Sequence, residues 1–587
     1  VDEQTLPPVF ISAEYVAKLP DGWKEVLVPW SALNPSGSPF DRIQIHAKKQ
    51  IPDDLVPIDK IVLTKGSGAA VHPVAAGASA PARSVRTVVD CSRSAVRINP
   101  LIYGIADSKW AMSPTARRIG GNPVTRLNWD LGNVWNLGKD WFFENVVGPK
   151  DKLPDWILAD LAHGMKTALV VPTSGWVAKD ATSVGFPVSV FGPQHARDPN
   201  RPEAGDGLRP DNTPIRPGPP TQTSVAAPPA LIKRWIERLR EQDAARGKRG
   251  VDMYILDNEP TLWNSTHRDI HPDPITYDEL LDMTIKYGTA IREADRDAVI
   301  AGPAEWGWTG YFYSAKDVVA GTTLRPDRRA HDGLPLVEWY LKKLAAHEKA
   351  TGTRVLDVFD LHYYPQAANV WGDGGLDPAT AALRLRSTRS LWDPSYRDES
   401  WIDDTIKLIP RMKEWIASSY PGRGISIGEW NFGGEKHMSG GLAVAEVLGR
   451  FGQQGITSAF YWYSPPDGSP AFNAFLAFRN YDGKGAHFLD WSVPTKDAEN
   501  VSLFASRDDS SEHFTFVLLN LDPSTAVNAE VDLSRCGTPT SRRAFVYDTT
   551  APAFVEDNAK ADLAKLTERL APYSMKVVEL AVAKPAR

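Results

Sequence analysis

Between Leu101 and about Asp490 the apolar residues fall into short runs, and between the runs they recur at helical spacing. Eight runs are strand candidates: Ile102–Ala106, Val124–Asn128, Ala168–Pro172, Met253–Leu256, Val299–Gly302, Val358–His362, Ile425–Gly428 and Ser458–Trp462. Leu231–Ala245, Tyr277–Ala294 and Leu442–Phe451 carry the period of amphipathic helices between them. Eight β–α alternations predict an α/β chain closed into a (β/α)8 TIM barrel. An open doubly wound sheet would call for a glycine-rich phosphate loop after an early strand, and the sequence has none. Gly175 to Ala230 is dense in Pro and Gly, a long loop expected on the catalytic face after the third strand.

The pattern differs on both sides of this region. Residues 1–70 hold short strand-like runs, Val26–Trp30, Ile43–His46 and Ile58–Leu63, separated by Pro, Gly and Asp. Gly66 to Arg83 is small and without period, and residues 71–83 read as a linker. Ser84 to Val89 is again a strand, so that 84–100 leads into a barrel spanning 101–490. From 491 to 587 helical periodicity stops. Val501–Ala505, Thr515–Asn520, Ala529–Leu533, Arg543–Tyr547 and Met575–Ala581 alternate like strands of a C-terminal β-sandwich.

Composition narrows the classes. The chain has 587 residues, 42% hydrophobic and 24% charged, with a net charge of −6, which predicts two or three folded domains. No basic block is present and no apolar run reaches the ~20 residues that span a bilayer, so neither nucleic acid nor a membrane is the expected partner. The chain begins at Val1 without a methionine or a leader, as expected of a secreted protein whose signal has been removed or of a trimmed chain. A monomer is expected.

Two strand ends carry chemistry. The fourth run ends Asp257-Asn258-Glu259-Pro260 and the seventh ends Gly428-Glu429-Trp430-Asn431. Either alone could be a surface turn. Two apolar strands of one barrel that both deliver a carboxylate at their C-terminal ends are harder to attribute to chance. Glycosidic cleavage needs this pair: a carboxylic acid to protonate the leaving oxygen and a carboxylate across the sugar. Proximity to Glu429 and partial burial are expected to raise the pKa of Glu259, and Asn258 is placed to meet a sugar 2-hydroxyl. Glu435, past two glycines, is expected to tune or bind rather than attack.

The segments "RIGGNPVTRLNWD", "YILDNEPTLWNSTHRDIHPDP", "FDLHYYPQ", "LWDPSYRDESWI" and "GEWNFGGE" resemble glycoside hydrolase family 44, endoglucanases and xyloglucanases that retain configuration. The resemblance runs from about Ile102 through the C-terminal strands. It implies that Glu259 is the acid/base and Glu429 the nucleophile, and that both ends of the catalytic chain build the sandwich. It also implies a retaining endo-β-1,4-glucanase on cellulose-type glucans or xyloglucan, with an endo-xylanase or mannanase as the alternative on the same barrel. A sugar-binding protein without activity would be expected to lack one carboxylate. No cofactor is required; a structural calcium is compatible with the family, but no EF-hand-like ligand series locates it. Leu127 departs from the family, where an aromatic is expected.

Arg126, Trp129, Trp263, His362, Tyr364, Trp392 and Trp462 are the further candidates for substrate binding, with Trp306 and Trp308 beside them. Rings at strand ends can stack on pyranose faces, although core packing accounts for two or three of the seven aromatics. His362 could equally be a structural histidine. His267, Asp269, His271 and Asp273 have the composition of a metal cluster, but Pro272 and Pro274 break any helix that would align them, which favours a loop walling the cleft. Residues 1–70 resemble the later half of a carbohydrate-binding jelly roll without its first half. Cys91 and Cys536 both fall in the proposed sandwich and are expected to pair, two independent buried thiols being the alternative.

Overall fold

The computed structural model describes residues 82–148, 153–321 and 323–583, together with two short strands, Val16–Lys18 and Lys24–Val26. Residues 1–81 are a unit by themselves, in which those two strands pair antiparallel. The runs at Ile43–His46 and Ile58–Leu63 and most of the linker lie outside the described residues.

Residues 82–587 are one compact unit with a closed barrel at its centre. Its parallel strands are β1 (Gly104–Ile105), β2 (Ala116–Ile119), β3 (Lys166–Val171), β4 (Met253–Leu256), β5 (Val299–Glu305), β6 (Val358–Tyr363), β7 (Gly424–Trp430) and β8 (Ser458–Tyr461), with β8 closing on β1. The strands are buried on both faces, which is why they read as unbroken apolar runs. Closure brings β1 hard against β8. A Cβ on Gly104 would stand 2.6 Å from the Ala459 carbonyl, so only glycine fits there.

One expectation fails at the second strand. Val124–Asn128 is not β2; Asn122–Arg126 is a 3₁₀ turn at the barrel mouth, and the strand is Ala116-Arg117-Arg118-Ile119. Two adjacent arginines conceal that strand from any hydrophobic pattern, because Arg117 pairs with Asp160 behind the sheet and Arg118 is wholly buried inside the barrel.

The helices cover the barrel as expected: Pro229–Arg246, Tyr277–Ala294 and Met438–Gln454 contain the three periodic stretches. Met438–Gln454 is buried on nearly every side because it lies between barrel and sandwich, and a Cβ on Gly449 would strike the Phe504 ring. The sandwich stacks a seven-stranded sheet on a four-stranded one, and segments from before the barrel join both: Val96–Arg97 the larger and Arg83–Val89 the smaller. Arg83–Val89 runs parallel to Val527–Asp532, and just beyond their ends Cys91 is bonded to Cys536.

That disulfide closes a loop of 445 residues, so its loss frees the denatured chain. Replacing both cysteines by alanine is expected to lower the unfolding free energy by ~2–5 kcal/mol, read as a lower urea midpoint. Two thiols titrating in denaturant without reductant would contradict the pairing.

Candidate active site

The end of β4 turns sharply. Asp257 (φ 64°) and Glu259 (φ 47°) sit in the left-handed region, and so does Ala304 (φ 58°) at the end of β5. Each such position costs roughly 1–3 kcal/mol unless its surroundings enforce it. Asp257 supplies much of the enforcement. Its buried carboxylate accepts from the Thr125 hydroxyl (2.6 Å), the Thr173 backbone N–H and hydroxyl, the Ser174 N–H (3.2 Å) and the Asn258 N–H (2.8 Å). It thereby ties the loops after β2 and β3 to β4. Burial pushes Asp257 up to about 6, against the pull of those donors. The Glu259 N–H in turn donates to the Ala304 carbonyl (3.0 Å).

This turn aims Glu259 at Glu429 on β7. One oxygen of each carboxyl and a ring nitrogen of His362 lie within 4.8 Å of one another. Three groups hold the two acids in unlike environments. Arg118, fully buried, donates to Glu429 Oε1 (2.7 Å) and to Asn258 Oδ1 (2.8 Å). Tyr364 donates its hydroxyl to Glu429 Oε2 (2.8 Å). His362 Nδ1 contacts Glu259 Oε1 (2.8 Å), while its Nε2 faces Arg118 Nη2 (3.4 Å). Because a guanidinium can only donate, Nε2 is the acceptor and the imidazole proton sits on Nδ1, directed at Glu259. Burial drops His362 to about 3, which favours the neutral ring.

Glu259 is pushed up to about 7, first by burial; the Arg118 charge opposes this and the Asp140 carboxylate adds to it. Burial and Asp140, rather than Glu429, therefore account for a shift whose direction agrees with the sequence reading. A third buried carboxyl, Glu305 at the end of β5, accepts from Thr261 (2.5 Å) and is pushed up to about 8.

Several expected site residues lie elsewhere. Arg126 is fully buried in an ion pair with Asp269 (3.0 Å) and in bonds to Thr223 and Ser224, which pin the long loop after β3. Trp263 is fully buried and donates its indole N–H to the Asn258 carbonyl (2.9 Å); it supports the site from behind. Trp129 lies parallel to Trp235 of helix Pro229–Arg246. Trp392 packs under the Arg450 guanidinium (3.9 Å), and Trp308 against Phe312 and Arg411. Trp306 is half-buried next to Glu305. Leu127 belongs to the core, so the departure from the family pattern does not alter a sugar contact. Of the aromatics, Tyr364 and Trp462 do join the acids: Trp462 faces Arg118 (5.8 Å), and its carbonyl accepts from Asn431 (2.6 Å). Glu435 accepts from Asn431 and Tyr461, a supporting part.

The sequence reading missed Arg118, hidden in an unrecognised strand, and four exposed rings set in loops. Trp371 packs edge-on to Tyr364; Trp401 donates to Gln366, which donates to the Tyr364 carbonyl; Tyr463 follows Trp462; Trp141 precedes the turn at Phe142. They are 57%, 61%, 62% and 45% exposed, much as stacking surfaces require.

Among the described residues, His267, Asp269, His271 and Asp273 do not gather as a metal-binding group: Asp269 is taken by Arg126, and His271 bonds Glu279. Glu259, His362 and Glu429 have metal-like spacing, but the buried Arg118 cation bonded to Glu429 does not suit calcium there.

Comparison with known proteins points to a glycoside hydrolase. The sequence profile of glycoside hydrolase family 44 matches residues 134–367. The β-mannanase/endoglucanase A of Caldicellulosiruptor saccharolyticus is 30% identical over 511 residues, covering 80% of this chain; the chain spans only 37% of that protein's length. The crystal structure of CelM2, a bifunctional glucanase-xylanase from a metagenome library, superposes with a TM-score of 0.80 at 33% identity, covering 85% of this chain and all of that one. A Paenibacillus polymyxa family 44 xyloglucanase with xyloglucan superposes at 0.72 and 26% identity, covering 85% of this chain and 100% of that one.

The folded protein holds the Glu259 proton more tightly than the unfolded chain, whose carboxyl keeps its ordinary value of 4.5. Stability therefore falls as pH rises from 4.5 to about 7. Glu259→Gln is expected to match the wild type near pH 4 and to exceed it at pH 8 by up to ~3 kcal/mol. Equal urea midpoints at both pH values would contradict the raised pKa.

Proposed function

Because the chain belongs to glycoside hydrolase family 44, we propose that it is a retaining endo-β-1,4-glucanase acting on cellulose-type glucans and xyloglucan. The observation that carries this reading is the close approach of Glu259 and Glu429, within 4.8 Å at their nearest oxygens. An inverting pair would stand roughly 6.5–9.5 Å apart to admit a water, whereas a retaining pair stands about 5–5.5 Å apart.

In the first step Glu429, an anion held by Arg118 and Tyr364, attacks the anomeric carbon, and the bond to the leaving oxygen breaks. Glu259 protonates that oxygen. Its Oε1 already accepts from His362 Nδ1, so the acidic proton sits on Oε2. In the second step the Glu259 carboxylate takes a proton from water, which attacks the same carbon and displaces Glu429. Two inversions leave the β configuration. Asn258 uses Oδ1 on Arg118 and one amide hydrogen on Asn122, which leaves a second amide hydrogen for the sugar 2-hydroxyl.

The exposed rings of Trp371, Trp401, Tyr463 and Trp141 support an open cleft and internal cleavage. The likeness to a glucanase-xylanase favours xylan as a second substrate. No helix among the described residues is long and apolar enough to cross a membrane. A polymeric substrate and a disulfide support an extracellular site of action.

Side-by-side product analysis on hydroxyethylcellulose, xyloglucan, xylan and mannan tests the substrate, and azide rescue tests the roles. Glu429→Ala should lose turnover and, with azide and an activated glycoside, give an α-glycosyl azide. Glu259→Ala should slow natural leaving groups by ~10²–10⁴-fold, spare activated ones, and give the β azide. Azide products of the opposite configuration would reverse the assignment.

A further inference from the structure

Asp140 lies in the short turn Gly138–Trp141, exposed, on the acid side of the cleft. Both its oxygens accept from the Asn122 amide (3.2 and 3.0 Å), and Asn122 accepts from Asn258 (3.0 Å), the neighbour of Glu259. The carboxylate is thus fixed one amide away from the proposed acid's own strand end. Its charge acts on Glu259 and also on Tyr463, which feels Glu429 as well. Trp141, its neighbour, is anchored through its indole to Asp198 (3.2 Å), and Trp141 and Tyr463 both expose their rings. Lys139 extends its ammonium to the Ser265 hydroxyl (3.2 Å), yet its charge still acts on Asp140, with the Asn122 amide, against the burial that raises this carboxyl above its ordinary value. A fixed carboxylate, flanked in this way by rings and with lone pairs to spare after one amide, accepts hydrogen bonds from sugar hydroxyls and repels acids.

We propose that Asp140 is a specificity-determining residue of the cleft: an anionic acceptor that favours chains of neutral, hydroxyl-bearing sugars and discriminates against chains bearing carboxylates, such as uronate-substituted or carboxymethylated polymers. The proposal rests on the glucanase reading above. It carries a second consequence, since Asp140 helps Glu259 keep its proton. The other groups facing Glu259 are Arg118 from β2, Glu305 from β5, His362 and Tyr364 at β6, Glu429 from β7 and Tyr311. Asp140 alone among the carboxylates can be removed from the rim without entering the barrel.

The test compares wild type, Asp140→Asn and Glu241→Gln, the last an equal change of net charge on the outer helix Pro229–Arg246. kcat/KM is measured on hydroxyethylcellulose and on carboxymethylcellulose of matched substitution, at low and at ~0.2 M salt. Asp140→Asn should raise the carboxymethyl-to-hydroxyethyl ratio ~3- to 10-fold at low salt, with the gain shrinking as salt rises. Its alkaline limb on the neutral chain should fall by roughly half a pH unit, because a negative neighbour of Glu259 is gone. Glu241→Gln should show neither change. An unmoved ratio, an unmoved limb, or the same gains in Glu241→Gln would overturn the proposal alone. A wild type that cleaves neither polymer would overturn the glucanase reading, and this proposal with it.

Discussion

A guanidinium with no exposure to water is bonded to Glu429 and acts through its charge on Glu259, and the rest of the site is arranged around it. Arg118 gives one arm to Glu429 and the other to Asn258. Inside the barrel its charge would be prohibitive alone; with Glu429 beside it, the pair is tolerable and the Glu429 side chain is held in place near Glu259. The same cation orders the histidine. By occupying Nε2 it sends the His362 proton toward Glu259, so one buried group both fastens Glu429 and orients the proton that Glu259 accepts. Breaking this pair by removing one partner would be expected to cost more than the pair contributes.

The backbone is strained to meet that charge. Asp257, Glu259 and Ala304 adopt left-handed conformations at the ends of β4 and β5. The strain is held by Asp257, which gathers the loops after β2 and β3, and by the Glu259 N–H on the Ala304 carbonyl. Arg126, which does not reach the cleft, tightens the same region by fastening Asp269 and the long loop. Trp263 closes the back of the turn. Residues that look like ligands in sequence therefore act as supports one layer behind.

What the sequence revealed follows from where polarity appears. The ends of β4 and β7 were legible because an apolar strand that abruptly yields Asn-Glu or Gly-Glu is conspicuous. β2 was not, because its inward side chain is an arginine, and a charged residue inside a barrel breaks the period-two and all-apolar templates alike. The same blindness hid Arg118, the residue that organises the site. Tryptophans misled for the converse reason: Trp129 and Trp263 follow the ends of β2 and β4, yet one packs on Trp235 and the other is fully buried, while Trp392 follows a 3₁₀ turn well past β6 and lies under Arg450. The exposed rings, Trp371, Trp401 and Tyr463, sit in loops, where no periodicity marks them.

The central claim is that Glu429, held by Arg118, forms a covalent bond to the sugar. A 2-fluoro glycoside with an activated leaving group should inactivate the wild type stoichiometrically. Digestion and mass spectrometry should then place the label on Glu429, within strand β7. A label on Glu259, Glu435 or any other residue, or no covalent adduct together with an α-configured first product, would contradict the account.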